Sequence, residues 1–235
     1  MDGQFEGRVA VVTGASSGIG RKTAELLAAA GARVAIFART GDKLWDIARQ
    51  FGEAMIPVAG DAADEAAIDR LFSETERRLG ACDLLVNAAG MIDPARIIST
   101  SAEQWDRMFA VNVRSAFLAC RRALPGMISK RAGAIVNVAS ISGVPGPEKF
   151  PGFASYCASK AAVIGFTEAL AVEVKEHGIR VNAVSPGSVD TAMWAAASGG
   201  APADMAPEEV AAMIVFLLSD ASRPMNGQNV NVFSS

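Results

Sequence analysis

Short apolar runs alternate with longer amphipathic segments along the whole chain. The runs are apolar on both faces, which is typical of strands in a parallel sheet that is covered on both sides. Between them, apolar residues recur at helical spacing, as Ile68, Leu71 and Phe72 do. Seven strands are predicted, at residues 8–13, 33–37, 54–59, 84–87, 134–139, 180–185 and 230–233.

Six helices are predicted between these strands. Gly31 ends the first, and Pro207 begins the last, since these residues favour those positions. The alternation predicts an α/β fold, with one doubly wound Rossmann-type domain over residues 1–235 and a seven-stranded parallel sheet with helices on both faces. The predicted helices span residues 18–30, 43–51, 64–79, about 102–129, 156–176 and 207–219.

Composition limits the classes of function. Hydrophobic residues make 51% of the 235 residues and charged residues 20%, which is typical of a globular protein. The net charge of −3 argues against a nucleic-acid or anionic-membrane partner. No apolar run is long enough to span a bilayer, and the first residues lack the pattern of a signal peptide. The three cysteines show neither close pairing nor metal-site spacing, so we expect a cytoplasmic protein with reduced thiols and no metal.

A glycine-rich turn follows the first strand, in the run Thr13-Gly14-Ala15-Ser16-Ser17-Gly18-Ile19-Gly20. Gly14 can adopt backbone angles that other residues avoid, Gly18 permits close approach to a ligand, and Gly20 permits close packing of helix on sheet. The helix start offers free N–H groups to phosphate, and Ser16 and Ser17 add hydroxyl donors. The turn therefore predicts a pyrophosphate site, and a plain strand-to-helix turn is the alternative.

Tyr156 and Lys160 lie four residues apart on a predicted helix, so they share one face. A nearby ammonium favours the phenolate, and we expect it to lower the pKa of Tyr156 from about 10. Such a tyrosine is a useful acid/base near neutral pH. A chance pair on an amphipathic helix is the alternative interpretation.

The end of the second strand bears on the choice of dinucleotide. An acidic residue there selects NAD, because it binds the ribose 2′-hydroxyl, whereas an arginine suits the 2′-phosphate of NADP. The chain has Arg39, followed by the hydroxyl of Thr40, and no acid before Asp42. We therefore expect NADP(H), with NAD(H) as the second candidate if Arg39 is a solvated surface arginine.

Six sequence elements occur in the order that one family shows. They are the glycine-rich turn, Asn87-Ala88-Ala89-Gly90, Asn112, Ser140, Tyr156 with Lys160, and Pro186-Gly187 followed by Val189 and Thr191. Over nearly its whole length the chain resembles the classical short-chain dehydrogenases/reductases, and the 3-oxoacyl-carrier-protein reductases are among the similar sequences.

The resemblance implies a catalytic role for four residues. Tyr156 would exchange a proton with the substrate oxygen, Ser140 would orient that oxygen, and Lys160 would hold the nicotinamide ribose. Asn112 would help to bind a water that relays protons to Lys160. Ser142 is an alternative to Ser140, which is preferred because it closes the strand.

The same resemblance implies a larger set of cofactor contacts. Asp61 would meet the adenine amine. The full expected set is Gly14, Ser16, Ser17, Gly18, Ile19, Gly20, Arg39, Thr40, Asp61, Ala62, Asn87, Ala88, Gly90, Tyr156, Lys160, Pro186, Gly187, Val189 and Thr191.

The expected reaction is hydride transfer between NADP(H) and a carbonyl or secondary alcohol. The substrate could be a 3-oxoacyl thioester or a small apolar ketone, and a substrate lid is expected at residues 188–206. The Pro- and Gly-rich loop 141–155 should form the rim of the pocket. The alternative from another class is a non-catalytic dinucleotide-binding sensor.

We also expect an assembly of identical subunits. Apolar residues spread widely around the two long helices, and the sheet can cover only part of them, which would leave an exposed apolar patch. The family resemblance implies that these helices pair in a homotetramer, or at least in a dimer. The residues concerned are Val163, Ile164, Phe166, Leu170 and Val174 on one helix and Phe117, Leu118, Leu124 and Met127 on the other.

Overall fold

A computed structural model describes residues 3–146 and 149–233 of the chain. Pro147 and Glu148, which belong to the expected rim loop, lie outside the described residues, as do the ends of the predicted domain. No helix in the described ranges is both long and apolar enough to cross a membrane. Within the same ranges, no cluster of His, Cys, Asp and Glu could hold a metal ion.

The seven predicted strands form one parallel sheet, which confirms the predicted fold class. Its strand order is β3-β2-β1-β4-β5-β6-β7, so the direction of winding changes between β1 and β4. The strands are β1 Val9–Thr13, β2 Arg33–Ala38, β3 Met55–Ala59, β4 Leu84–Asn87, β5 Gly133–Val138, β6 Ile179–Pro186 and β7 Asn229–Val232.

The helices follow the prediction with two differences. The predicted helix 102–129 consists of two helices separated by a π turn at Ala110–Arg114, and a short helix, α7, was not predicted. The helices are α1 Gly18–Ala29, α2 Gly41–Ala48, α3 Glu65–Arg78, α4 Ala102–Phe109, α5 Ser115–Lys130, α6 Ala154–Val174, α7 Ala192–Ser198 and α8 Pro207–Leu218.

Two apolar layers hold the helices against the two faces of the sheet. On one face, Val12 and Ile36 pack with Leu27 of α1 and Ile214 of α8. On the other face, the neighbouring positions pack with α3, α5 and α6. Alternate residues of each strand enter opposite layers, as side-chain alternation in a strand requires. Both faces are therefore buried, which is why the strands are apolar throughout.

The apolar surface of the two long helices is smaller than expected. Val163, Leu170 and Val174 are buried within the chain itself. What remains outside includes Phe117 of α5, which is 42% exposed, and Val172 of α6, which is 77% exposed. The prediction overestimated the patch because it underestimated how much of α6 the sheet, α4 and the π turn cover.

The carboxyl ends of the strands carry the residues on which the functional expectations rest. Thr13 ends β1 and lies in register with Asn87, which ends β4, and Asn87 lies in register with Asn137 of β5. Ligands in open α/β sheets bind at this edge, near the change in winding direction. The fold therefore collects the glycine-rich turn and the start of α6 at one edge of the sheet.

Candidate functional site

A cavity of about 510 Å³ lies at the carboxyl edge of the sheet. Its wall contains the glycine-rich turn, the ends of β2, β3, β5 and β6, the start of α6 and one side of α7. Of the residues expected from the sequence, all line this cavity except Asn87 and Asn112.

The glycine-rich turn forms a cradle in which a side chain does not fit at Gly14 or at Gly20. Gly14 has φ +68°, and a Cβ there would lie 2.5 Å from the carbonyl oxygen of Ala88. A Cβ at Gly20 would lie 2.5 Å from the carbonyl oxygen of Gly14. Ser17, the residue before α1, makes no side-chain capping bond, so it leaves the first N–H groups of the helix free. This cradle fits a phosphate group at the helix start.

The far end of the cavity holds the residues expected at the adenosine. Arg39 and Thr40 line it and are exposed at the end of β2. Arg39 takes part in none of the ion pairs formed between described residues. Asp61 lines it after β3, and its Oδ1 accepts a hydrogen bond of 2.9 Å from the backbone N–H of Ala63. The residues present therefore fit a dinucleotide, with a cation near the ribose end.

Ser140 and Tyr156 meet at the other end of the cavity. Ser140 is buried, and its Oγ accepts a hydrogen bond of 3.1 Å from the backbone N–H of Ser142. That bond occupies a lone pair and leaves the hydroxyl proton of Ser140 available. Ser142 also lines the cavity, but its N–H holds Ser140, which supports the choice of Ser140 as the residue that orients a substrate oxygen.

The expected lowering of the Tyr156 pKa is wrong for the residues of the chain itself. Burial raises the pKa of Tyr156 to about 12, and the hydrogen bond with Ser140 offsets only part of that rise. The Nζ of Lys160 lies 5.7 Å from the centre of the tyrosine ring. The physical reason is that desolvation acts on both groups, which the sequence does not reveal.

Lys160 is buried, with its ammonium close to the end of β5. Its Nζ donates a hydrogen bond of 2.8 Å to the carbonyl oxygen of Val138. Burial lowers the pKa of Lys160 to about 8, so part of its charge is lost near neutral pH. An ammonium has three donors, so two remain after the bond to Val138. Gly90 gives them space, since a Cβ there would lie 3.5 Å from Nζ.

Asn112 is buried behind the cavity, in the π turn. Its Oδ1 accepts from the backbone N–H of Met91 at 2.7 Å, and its Nδ2 donates to the Oγ of Ser159 at 2.9 Å and to the carbonyl oxygen of Met91 at 3.0 Å. Ser159 in turn donates to the carbonyl oxygen of Tyr156 at 2.7 Å. The side chain of Asn112 thus connects the loop that follows β4 with the start of α6.

Asn87, one of the expected cofactor contacts, is not among the residues that line the cavity. Its Nδ2 donates to the Oδ1 of Asn137 at 2.8 Å, and Asn137 donates to the hydroxyl of Thr167 in α6 at 2.9 Å. The side chain points into the layer that holds α5 and α6, because residues of a strand alternate between faces. Its neighbours Ala88 and Gly90 line the cavity instead.

Several cavity residues were not predicted from the sequence. Phe153 is buried and packs edge-on against Tyr156, with ring centres 6.1 Å apart and an angle of 81°. Phe150 packs against Phe153 with ring centres 5.6 Å apart. Ile92 and Trp194 also line the cavity, and Met193 lies beside Gly90. The expected rim loop and lid include all of these except Ile92, but nothing in the sequence indicates which of their side chains face inward.

The segment 188–206 forms a closed loop that contributes part of the cavity wall. Its two ends meet in a bridge between Val189 and Met205, and Ser188 and Asp204 are joined by hydrogen bonds. Thr191 caps α7 by accepting from the N–H of Trp194 at 3.2 Å. The cap at Thr191 and the left-handed Gly199 after the helix are the signals from which α7 could have been found.

Comparison with known proteins gives consistent matches. A family model described as short chain dehydrogenase matches residues 8–201. The 2-(R)-hydroxypropyl-CoM dehydrogenase of Xanthobacter autotrophicus is 40% identical over 193 residues, covering 79% of this chain and 76% of that protein. An uncharacterized oxidoreductase of Staphylococcus aureus (strain N315) is 34% identical over 213 residues, covering 90% of this chain and 91% of that protein. The crystal structure of levodione reductase is similar with a TM-score of 0.90 at 28% identity, over 97% of this chain and 96% of that one.

Proposed function

Because the chain belongs to the short chain dehydrogenase family of oxidoreductases, we propose that it interconverts a ketone and a secondary alcohol with NADP(H). When bound, this cofactor would supply the hydride in reduction and accept it in the reverse direction. One observation carries the proposal: Ser140, Tyr156 and Lys160 share one cavity with a glycine cradle that fits a phosphate.

Tyr156 is the proposed acid/base of this reaction. With its pKa raised to about 12, Tyr156 holds its proton at neutral pH and suits the role of proton donor to a carbonyl oxygen. Ser140, whose Oγ accepts from the N–H of Ser142, would donate its own proton to the same oxygen and orient it. In the reverse direction Tyr156 must lose its proton, so a nearby positive charge would be needed to lower its pKa.

Lys160 and Asn112 would act at a distance from the reacting oxygen. Lys160 has two donors left after its bond to Val138, which could hold ribose hydroxyls. The side chain of Asn112 contacts Met91 and Ser159, so its support for a proton relay would come from holding this region in place.

Preference for NADP(H) over NAD(H) is proposed from the end of β2. Arg39 lines the cavity there, and Thr40 adds a hydroxyl that could contact a 2′-phosphate. No acidic residue occurs in β2 or before Asp42 that could bind a ribose 2′-hydroxyl in its place.

A screen of NADPH oxidation tests the proposal. Purified protein is mixed with ketones, 3-oxoacyl thioesters and sugars, and active pairs are repeated with Tyr156→Phe. We expect turnover with at least one ketone and a loss of about 100-fold or more in kcat for the variant, with cofactor affinity nearly unchanged. A variant that keeps substantial activity would exclude Tyr156 as the acid/base. Cofactor binding without turnover across the screen would favour the sensor function instead.

We also propose a homotetramer, or at least a dimer built on α5 and α6. The exposed apolar side chains on these helices, Phe117 and Val172, support it. Light scattering at low micromolar concentration should give about four times the 24.3 kDa of one chain. A mass of one chain would refute the assembly.

A further inference from the structure

The cavity has two halves that differ in charge. One half lies beside Arg39 and Asp61, and the other, here called the catalytic half, lies beside Ser140 and Tyr156. Among the described residues that line it, the charged ones are Arg39, Asp61, Lys160 and Asp204. Arg39 and Asp61 follow β2 and β3, at the opposite side of the sheet from β5 and β6, where Ser140 and Pro186 lie. Lys160 turns its Nζ to the carbonyl oxygen of Val138. Asp204 is therefore the one remaining charged group near the catalytic half, in the part of the chain that the structure describes.

The walls of the catalytic half are apolar. Tyr156, Phe153 and Phe150 form a row of rings with centres 6.1 Å and 5.6 Å apart. Phe153, in the middle of the row, is buried, whereas Phe150 at its end is 47% exposed. The row therefore connects the proposed acid/base with an exposed ring at the rim. Met193 and Trp194 of α7 also line this half.

Nearby cations are absent or occupied. The segment 188–206 contains two charged residues, Asp190 and Asp204, and no Lys or Arg. Lys149, in the rim loop, is not among the lining residues, and its Nζ donates to the carbonyl oxygen of Val144 at 2.6 Å. A carboxylate or phosphate on the substrate would thus meet rings and the carboxylate of Asp204. The cation of this half, Lys160, is bonded to Val138 and is assigned to the ribose under the proposed function.

Asp204 is an exposed residue of the cavity wall, and Ser188 holds it there. Its carboxylate accepts from the hydroxyl of Ser188, and its own N–H donates to that hydroxyl at 3.0 Å. Asp190 lies on the same segment and is exposed as well, but it does not line the cavity. The two aspartates therefore form a matched pair, one facing the cavity and one not.

We propose that the site selects uncharged ketones with a large apolar or aromatic substituent and that Asp204 excludes substrates with an anionic tail. The inference rests on the proposed function and narrows its substrate class. Of the two expected substrates, this selection favours the apolar ketone over a 3-oxoacyl thioester whose carrier would place a phosphate in the catalytic half.

Three phenyl alkyl ketones that share one skeleton test this selection. One is unsubstituted, one carries a para carboxylate, and one carries a para trimethylammonium group. We expect the neutral ketone to exceed the carboxylate in kcat/KM by at least about tenfold, with the cationic ketone between them. Asp204→Asn should narrow the ratio of neutral to anionic ketone by roughly threefold, and the matched control Asp190→Asn should leave it unchanged.

Titration calorimetry of the three ketones, with NADP⁺ present, measures the same selection without turnover. We expect the same order of affinities. Equal use or binding of the neutral and carboxylate ketones would overturn the inference, and so would an unchanged ratio in Asp204→Asn. Failure of the proposed function differs from both results, because it would abolish turnover of every ketone and leave the order of affinities to decide the inference.

Discussion

The two ends of the cavity present ligand-facing groups in different ways. At the β1–α1 turn the ligand-facing groups are backbone atoms. Gly14 and Gly20 let this turn pack closely, because a Cβ at either position would clash with a backbone carbonyl. At the start of α6 they are side chains, Tyr156 and Lys160, whose protonation is changed by burial. Backbone geometry follows directly from residue type, whereas protonation depends on everything that surrounds the group. The first end could therefore be predicted closely from sequence, and the second only in outline.

The largest effect is expected where backbone contacts are tightest. Gly14→Ala should lower the free energy of unfolding by at least about 3 kcal/mol, because it adds a left-handed alanine and a clash with the Ala88 carbonyl. Gly52→Ala is the matched control, since Gly52 has φ +57° and nothing within 4 Å of a Cβ. It should cost only about 1–2 kcal/mol. Equal losses in urea unfolding would show that the close approach at Gly14 contributes nothing.

A change at Arg39 should alter cofactor choice without altering the glycine cradle. Arg39→Asp is expected to shift the ratio of kcat/KM for NADP to that for NAD by more than tenfold, because a charge-assisted contact to phosphate contributes about 1.5–3 kcal/mol. The ratio in the unmodified protein is measured first. A preference for NAD there would refute the proposed role of Arg39.

Burial of Lys160 should make it a source of instability that depends on pH. Its pKa is lowered from 10.5 to about 8 in the folded protein. Between these pH values the unfolded chain binds more protons than the folded one. The free energy of unfolding therefore increases as pH rises from about 8 to about 10.5. Lys160→Met should therefore raise stability near pH 7 by about 1–2 kcal/mol, after loss of the bond to Val138.

The gain from Lys160→Met should shrink at higher pH. Melting temperatures of both proteins, compared at about pH 7 and about pH 9.5, give this difference while effects shared by both proteins, including those of the buried Cys82 and Cys120, cancel. A difference that stays constant with pH would mean that Lys160 is not destabilised by burial.

The smallest effect concerns the protonation of Tyr156, which is the only tyrosine of the chain. Phenolate absorbance therefore reports this residue alone. With its pKa raised to about 12, Tyr156 should remain largely protonated at about pH 10.5, where a free tyrosine is more than half ionised. Addition of NADP⁺ should lower its pKa. Ionisation clearly below about pH 10 in the protein alone would restore the expectation of a lowered pKa that was drawn from sequence.

Sequence reasoning succeeded where a local pattern determines structure. Strands that are apolar on both faces and the glycine spacing led to the parallel sheet, and nearly all expected contacts line one cavity. It did not indicate that the side chain of Asn87 bonds Asn137 within the sheet, because a motif does not show which face of the sheet its first residue uses. The pKa of Tyr156 is raised by burial, which the hydrogen bond with Ser140 only partly offsets, so spacing from Lys160 alone gave the wrong direction.

The inward side chains of the rim loop and lid were beyond prediction for a related reason. Phe150 and Phe153 come from an irregular loop, which has no periodicity to show which side faces inward. The charge inventory of the lid, in contrast, can be counted from sequence, and only the placement of Asp204 required the structure.

The π turn at Ala110–Arg114 shifts the directions in which side chains point in α5 relative to those in α4. A π turn accommodates one residue more than a regular turn, and each residue of an α-helix advances the direction of its side chain by about 100°. Asn112 can therefore face Met91 and Ser159 while Cys120, further along, still faces Asn87. Loss of one residue here would rotate the whole of α5 relative to α4. The number of residues in this segment is thus constrained as strictly as their identity, and a family member with a different count must compensate elsewhere.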